Sequence, residues 1–252
     1  MVIESSPEYD IIATEGFVWL QANKVFGNMV PELSSDAASN RERGVKLLQK
    51  FTTASTVARM KPGEAPFVDI TNADLVEPLY LAEGIITSNP EHILHANPAD
   101  CGEIALFGFG LRYEEPVAAI LHASRSAINR GTYLDALDYI SREYQLSPDE
   151  MTVIMSPSAR KDSYAFDYID GDQLTSGAWR NYIHQDNDGA WHIDLHGRTV
   201  NDLLNFGIKD TAITAVDADT ISDESYFSHY RRARFAEEPI GGNGLLFSLR
   251  KQ

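Results

Sequence analysis

Apolar residues follow two kinds of spacing along the chain, and each kind predicts a type of secondary structure. Short continuous apolar runs, which are typical of buried strands, occupy residues 103–109, 116–121, 151–155, 211–216 and 245–249. The other apolar segments raise the expected total to about seven strands or more. The pattern therefore predicts that buried strands form much of the core.

Helical spacing of apolar residues marks three further segments, residues 36–50, 132–144 and 199–206. Thr132, with an acidic residue three positions later, is typical of a helix N-cap, and Gly207 suits a left-handed C-cap. Strands and helices do not alternate strictly, which favours an α+β fold in layers over a doubly wound sheet or a barrel. No linker divides the chain, so residues 1–252 are predicted to form a single domain.

The charge balance narrows the class of partner. The 252 residues include 21 basic and 37 acidic side chains, which gives a net charge of −16. An acidic surface repels phosphate backbones and anionic lipids, so neither nucleic acid nor a membrane is an expected partner, and the oligomeric state stays open. No apolar run approaches the roughly 20 residues that span a bilayer. Cys101 is the one cysteine and the N-terminus lacks a signal-peptide pattern, so a cytoplasmic location is expected.

Cys101 and His122 carry the most informative chemistry in the sequence. Cys101 precedes the predicted strand 103–109, and His122 follows the predicted strand 116–121. Loops beside a rigid sheet are where binding and catalytic residues are usually placed. A thiol and an imidazole can share a metal ion as ligands, or they can act as a nucleophile and its base. They can equally be a buried free cysteine and an unrelated histidine, since unpaired cysteines are often buried.

Several short motifs in order give the sequence a family likeness. Ala-Ser-Asn-Arg-Glu-Arg-Gly at residues 38–44 and Ala-Glu-Gly-Ile-Ile-Thr at 82–87 come first. Ala-Asp-Cys at 99–101 and His-Ala-Ser at 122–124 follow, and then Tyr-Phe-Ser-His-Tyr-Arg-Arg at 226–232. In order and spacing these segments resemble the laccase-domain family. This family is also described as YfiH-like or as multicopper polyphenol oxidases, and it is now viewed as zinc-dependent purine nucleoside phosphorylases.

The resemblance implies a layered α-β-β-α fold with mixed sheets, which is shared with bacterial toxins that deamidate proteins. It also implies one zinc ion held by His, Cys and His, and Cys101 and His122 match the cysteine and the second histidine. The implied activity is phosphorolysis of adenosine or inosine, in which phosphate attacks the anomeric carbon of the ribose and the purine leaves. Some family members also deaminate adenosine. The implied partners are therefore a small nucleoside and phosphate.

Three arginines are the substrate-binding candidates that follow from this likeness. Arg231 and Arg232 lie in the last motif and can bind phosphate through charge-assisted, bidentate hydrogen bonds. Arg41, at the start of the first predicted helix, can do the same or remain a solvated helix residue. A phosphorylase site must hold an anion beside a metal, and these arginines are the expected source of positive charge.

The sequence departs from the family pattern at the first zinc ligand. The best counterpart of that segment is Met60-Lys-Pro-Gly63, which places Pro62 where the histidine belongs. Proline cannot bind a metal, and catalytic zinc sites typically use three protein ligands, so the zinc expectation is weakened. His92 and His95 lie near Cys101 in the sequence and are the available substitutes.

Other functional positions have changed as well. After His122, Arg125 stands where the family has tryptophan and Ser126 stands where it has arginine. The final motif carries one extra residue, His229 or Tyr230. The older label of copper-based phenol oxidation fits poorly, because one cysteine and few clustered histidines cannot build a multicopper site.

Three hypotheses follow, and the sequence leaves open whether the chain is an enzyme. The ordered motifs favour a purine nucleoside phosphorylase-type enzyme with a degenerate zinc site. The missing zinc ligand favours a thiol hydrolase or deamidase, with Cys101 as the nucleophile and His122 as the base. The several changed positions favour a catalytically impaired relative that binds a ligand or a partner protein.

Overall fold

Strands supply most of the secondary structure in the computed structural model, which describes residues 2–73, 79–112, 114–169, 171 and 177–251. The described strands are β1 (Val2–Ser5), β2 (Tyr9–Ala13), β3 (Phe17–Ala22), β4 (Thr56–Ala65), β5 (Val68–Asp69), β6 (Leu79–Ala82), β7 (Gly84–Thr87), β8 (His92–Ala96), β9 (Gly102–Gly110), β10 (Glu115–Ala123), β11 (Thr152–Met155), β12 (Ala165–Phe166), β13 (Ile183–Gln185), β14 (Trp191–Ile193), β15 (Ile213–Ala215) and β16 (Leu245–Leu249). The described α-helices are α1 (Ala37–Leu48), α2 (Arg125–Arg130), α3 (Thr132–Glu143), α4 (Leu195–Phe206) and α5 (His229–Arg234).

These strands form two large mixed sheets and one small one. The first has seven strands in the order β1-β2-β3-β16-β8-β4-β6, and the second has six in the order β15-β11-β9-β10-β7-β5. Both contain parallel and antiparallel pairs, for example β4 parallel to β8 and β9 antiparallel to β10. Strands β12, β14 and β13 form the third sheet.

Three clusters of buried apolar side chains separate four layers. Helix α1 covers the outer face of the seven-stranded sheet, where Leu48 packs in one cluster with Leu20 and Ile93. Helices α3 and α4 cover the outer face of the six-stranded sheet with Leu137 and Leu203. The core between the sheets takes residues from both, namely Trp19, Met60, Leu94, Phe247, Ala105, Ile120 and Ile154. The predicted α+β fold with α-β-β-α layers is confirmed.

Strand β10 shows why the central strands read as continuous apolar runs. Val117 and Leu121 belong to the core under the helices, while Ala118 and Ile120 belong to the core between the sheets. Side chains alternate between the two faces of a strand, and a strand covered on both faces needs apolar residues at every position. The next position on the inter-sheet face is His122.

Most predicted elements are found within one or two residues of their expected bounds. The five predicted strands correspond to β9, β10, β11, β15 and β16, and the predicted helices to α1, α3 and α4. Helix α4 begins one turn earlier than predicted, because the Asp194 side chain caps it by accepting a hydrogen bond from the Gly197 N–H at 2.7 Å. Gly207 adopts the predicted left-handed conformation, with φ of 108°.

Two expectations about helices are corrected. Thr132 is not the N-cap of α3, because Gly131 occupies that position with φ of 69° and no side chain caps the helix. The polar composition of residues 217–243 is typical of a long loop, but this segment contains the short helix α5. None of the described helices combines the length and the apolar character needed to cross a bilayer.

His95 of β8 is a polar residue in the core. Its side chain is fully buried and lies opposite Leu246 of β16 and Arg59 of β4. Neither ring nitrogen makes a well-formed hydrogen bond, although the Asn97 side chain is near enough to interact. Burial, followed by the positive charges of Arg41 and Arg59, lowers the pKa of His95 to about 3.

We predict that His95 makes the protein sensitive to mild acid. The unfolded chain takes up a proton at an ordinary histidine pKa of about 6.5, whereas the folded chain does so only near 3. Above about pH 6.5 His95 does not change the free energy of unfolding. As the pH drops below this value, His95 lowers the free energy of unfolding, by about 2 kcal/mol at pH 5. Chemical denaturation at about pH 7 and at about pH 5 measures this loss. Between these pH values, the free energy of unfolding of His95→Leu should fall by correspondingly less than that of the parent. The exposed His184 of β13 supplies the control, since His184→Leu should behave like the parent, and equal losses in all three proteins would contradict the prediction.

Candidate functional site

Cys101, Glu103 and His122 meet where β9 and β10 pair at the end of the six-stranded sheet. His122 lies directly opposite Glu103 in the antiparallel register. Directly opposed residues project to the same face, with Cβ atoms about 5 Å apart. Cys101 precedes Glu103 by two positions, so alternation along the chain favours the same inter-sheet side for both. The register of one strand pair therefore brings a thiol, a carboxyl and an imidazole together.

His122 and Glu103 form a buried pair. The His122 Nδ1 lies 2.6 Å from the Glu103 Oε1, and the two residues are 6% and 2% exposed. The Glu103 Oε2 is also buried and has no hydrogen-bond partner among the described residues. Because Nδ1 is committed to Glu103, Nε2 is the ring nitrogen left for other chemistry.

Cys101 interacts with the same imidazole. Burial by itself lowers the pKa of His122, but the Glu103 carboxylate and the hydrogen bond and charge of Cys101 outweigh burial and raise this pKa well above its usual range. The ring is therefore protonated at neutral pH. A cysteine that contacts a histidine in this way has the arrangement of a nucleophile beside its acid–base partner.

Two cavities adjoin His122. The outer cavity, of about 510 Å³, contains Cys101 and opens between α5 and the start of α2. The inner cavity, of about 240 Å³, contains Glu103 and is bordered by Arg59 of β4. His122, Pro62 and Asn97 line both. A volume of this size suits a small molecule.

Asp100 fastens the late segment 217–243 over the outer cavity. Its Oδ1 accepts a hydrogen bond from the Thr220 hydroxyl at 2.9 Å, and its Oδ2 accepts one from the Tyr230 N–H at 2.6 Å. Ser228 caps α5 by accepting from the Arg231 N–H at 3.1 Å. The residue before the cysteine thus positions the helix that forms the cavity wall.

Comparison with known proteins shows the family of the chain. The sequence profile of the family described as multi-copper polyphenol oxidoreductase laccase matches residues 26–241. The chain belongs to this laccase family. No curated protein sequence gives a match.

Solved structures share the fold of this laccase-family chain at low sequence identity. The Bacillus licheniformis hypothetical protein YfiH is similar with a TM-score of 0.79 at 16% identity, covering 99% of each chain. YlmD from Geobacillus stearothermophilus is similar with a TM-score of 0.79 at 17% identity, covering 98% of each chain. A Neisseria meningitidis protein of the family DUF152 has a TM-score of 0.73 at 16% identity, covering 99% of each chain.

The zinc site implied for the family lacks a third ligand in this member. Cys101 and His122 lie together, and Pro62 lines both cavities beside them, which is where the sequence placed the missing histidine. His92 and His95 do not replace it, because neither lines these cavities, and the His92 Nδ1 hydrogen-bonds the Thr87 hydroxyl at 2.9 Å. Within the described residues no three His, Cys, Asp or Glu side chains are placed to hold a metal. Two donors are too few for a tightly held catalytic zinc.

Arg231 is occupied elsewhere in the structure. Its guanidinium is buried and donates to the carbonyl oxygens of Thr220 at 2.6 Å and Ile221 at 2.8 Å, and to the Glu238 carboxylate at 2.9 Å. It lines neither cavity. The position assigns Arg231 to holding segment 217–243 together, in contrast to the phosphate contact expected from the sequence.

Arg232 and Arg41 are not brought to the cavities either. Arg232 points outward and donates to the Ala236 carbonyl oxygen. Arg41 lies on α1, on the far side of the seven-stranded sheet, where its charge acts on His95. Of the predicted site residues, the structure brings together Cys101 and His122.

Sequence reasoning missed Glu103 and the arginines that do line the outer cavity. Arg125 and Arg234 border it together with His229. Glu103 was predictable from its spacing, since residues two apart on a strand share a face. Arg234 had no such signal, because α5 was not expected in segment 217–243.

We predict that a single substitution restores zinc binding. Pro62→His should supply the third ligand, so the purified variant should retain stoichiometric zinc after dialysis, as measured by elemental analysis, whereas the parent protein should not. Pro98 also lines the outer cavity, and Pro98→His is the matched control expected to stay zinc-free. The prediction would be contradicted if the parent retained stoichiometric zinc and Cys101→Ala lost it, because Cys101 and His122 would then suffice to hold the ion.

Proposed function

We propose that this chain is a cysteine-dependent hydrolase of small acyl compounds, with Cys101 as nucleophile, His122 as general acid and base, and Glu103 as the residue that orients His122. The arrangement that carries the proposal is the imidazole held by Glu103 at Nδ1 and adjoining Cys101, with proline at the third metal-ligand position. Acyl transfer by a thiol requires a nucleophile that contacts a base, and a carboxylate that orients this base.

The reaction proceeds in two steps at these side chains. The Cys101 thiolate attacks the substrate carbonyl carbon and forms a carbon–sulfur bond, while the bond to the leaving group breaks and His122 donates a proton to that group. Water then attacks the resulting thioester, with His122 accepting one proton from the water. The acid product leaves, the carbon–sulfur bond breaks, and the thiolate and the imidazolium are restored.

Glu103 contributes by fixing the ring and its charge. A carboxylate at Nδ1 directs Nε2 toward the nucleophile and stabilises the imidazolium that the thiolate needs as its counter-ion. Glu103 lines the inner cavity but not the outer cavity that contains Cys101, so Glu103 does not compete with substrate for Cys101.

We predict that Glu103→Gln lowers thiol reactivity near neutral pH. The imidazolium is present at low pH and is lost as the pH rises through the raised pKa of His122. In the parent, the imidazolium should therefore make iodoacetamide alkylate Cys101 faster than it alkylates free glutathione at about pH 6.5. In Glu103→Gln the carboxylate that stabilises the imidazolium is absent, and the alkylation of Cys101 at about pH 6.5 should slow roughly tenfold.

Glu115 provides the control for this measurement. It lies at the start of β10, at the opposite end of this strand from His122, and its carboxylate accepts a hydrogen bond from the Ser88 hydroxyl at 2.9 Å. Glu115→Gln should keep the parent's pH profile. A parent profile that matches free glutathione would contradict an activated nucleophile.

Turnover tests the function itself. A panel of small thioesters, esters and amides should include compounds that the parent hydrolyses and that Cys101→Ala does not. Burst kinetics and mass spectrometry should show an acyl group on Cys101 before steady state. Hydrolysis that persists in Cys101→Ala would reject the proposal. A parent protein that has an unreactive thiol and hydrolyses none of these compounds would reject it as well.

Phosphorolysis of nucleosides is the second candidate. Family membership favours it, and so do the arginines and aromatic rings around the outer cavity, which suit a phosphate and a purine. Purine release from adenosine or inosine with phosphate, measured by chromatography with and without added zinc, distinguishes it from hydrolysis of acyl compounds. Release that depends on phosphate would favour this candidate over the thiol hydrolase.

A further inference from the structure

The wall of the outer cavity is cationic although the whole chain carries a net charge of −16. The guanidiniums of Arg125 and Arg234 line it, and Asp100 is the one carboxylate among the described lining residues. Both oxygens of Asp100 are committed to Thr220 and Tyr230. The cavity therefore presents positive charge next to the thiol.

Phe166 places the two guanidiniums. The Arg125 Cζ lies 5.6 Å from the Phe166 ring centroid, and the Arg234 Cζ lies 5.9 Å from it. Arg234 also stacks on the Tyr230 ring at 3.4 Å and donates to the Ala165 carbonyl oxygen at 3.1 Å. Cation–π contacts of this kind hold an arginine in position without neutralising its charge.

Arg125 is the arginine best placed to receive a ligand. Its guanidinium lies over the Phe166 ring, and its charge acts to lower the pKa of Tyr164. Within the part of the chain that the structure describes, no carboxylate forms an ion pair with it. It is partly buried at the start of α2, three residues after His122. A planar guanidinium with free donors at a cavity wall is suited to a carboxylate or phosphate group.

We propose that the site selects small acyl compounds that carry a negative charge, recognised by Arg125 and Arg234. This inference rests on the proposed function of Cys101 and adds the substrate class. Carboxylate and phosphate share the chemistry that these side chains recognise, and the cavity volume of about 510 Å³ limits the substrate to a small molecule.

The test compares two alkylating agents of similar size on the intact protein, which has the single thiol of Cys101. Iodoacetate is an anion and iodoacetamide is neutral, so the ratio of their rate constants, divided by the same ratio for glutathione, reports the charge of the cavity. The parent should favour iodoacetate several-fold, and added salt should reduce that preference. Arg125→Met and Arg234→Met should each lower the iodoacetate rate by a larger factor than the iodoacetamide rate, so that the normalised ratio falls toward unity.

Arg142→Met is the matched control, because Arg142 lies on the outside of α3 and pairs with Asp138 at 2.6 Å. It should retain the parent's preference. A normalised ratio near unity in the parent, or a preference that survives in both Arg125→Met and Arg234→Met, would overturn the proposal. The iodoacetamide rate constant by itself tests the proposed function, because a slow rate contradicts an activated thiol. The normalised ratio tests the preference for anions separately, since it reports the charge of the cavity whatever the reactivity of the thiol.

Discussion

The antiparallel register of β9 and β10 is the constraint on which the site depends. It sets His122 opposite Glu103 on the inter-sheet face, and alternation places Cys101 next to them. A shift of one residue in this pairing would turn each side chain to the opposite face. The register is in turn fixed by apolar residues buried on both faces of β10, including Ala118 and Leu121. The packing of the core therefore determines the geometry of the site.

The buried pair of Glu103 and His122 is better explained by chemistry than by stability. Moving two charges out of water costs several kcal/mol for each ion, and an apolar pair of similar volume is often as stable. The pair also raises the pKa of His122, and such shifts cluster where proton transfer is needed. Arg231 shows the opposite case, because both of its terminal nitrogens bind groups of segment 217–243, namely backbone carbonyl oxygens and the Glu238 carboxylate. This buried arginine therefore stabilises the fold of the segment.

The sequence predicted the layers, the central strands and the meeting of Cys101 with His122, because apolar periodicity and motif order are local signals. It did not predict most of the seven-stranded sheet, in which β3 pairs with β16 and β4 pairs with β8 across long separations in the chain. It also assigned phosphate binding to Arg231 from the motif alone, although the contacts that occupy this side chain come from residues up to 11 positions away. Arg125 and Arg234 were missed because their proximity depends on how α5 docks through Asp100, which is a tertiary contact.

Pro62 and Glu103 together define what this chain can do within its family. A zinc ion neutralises a thiolate by direct coordination, and it needs three protein ligands to stay in place. With Pro62 at the third position, Cys101 has a protonated imidazole as its counter-charge, and Glu103 maintains that protonation. Under the proposed function, Arg125 and Arg234 of the outer cavity wall supply the positive charge that an anionic substrate requires. The proposed thiol chemistry would therefore use the same cysteine and histidine that match the family's metal ligands.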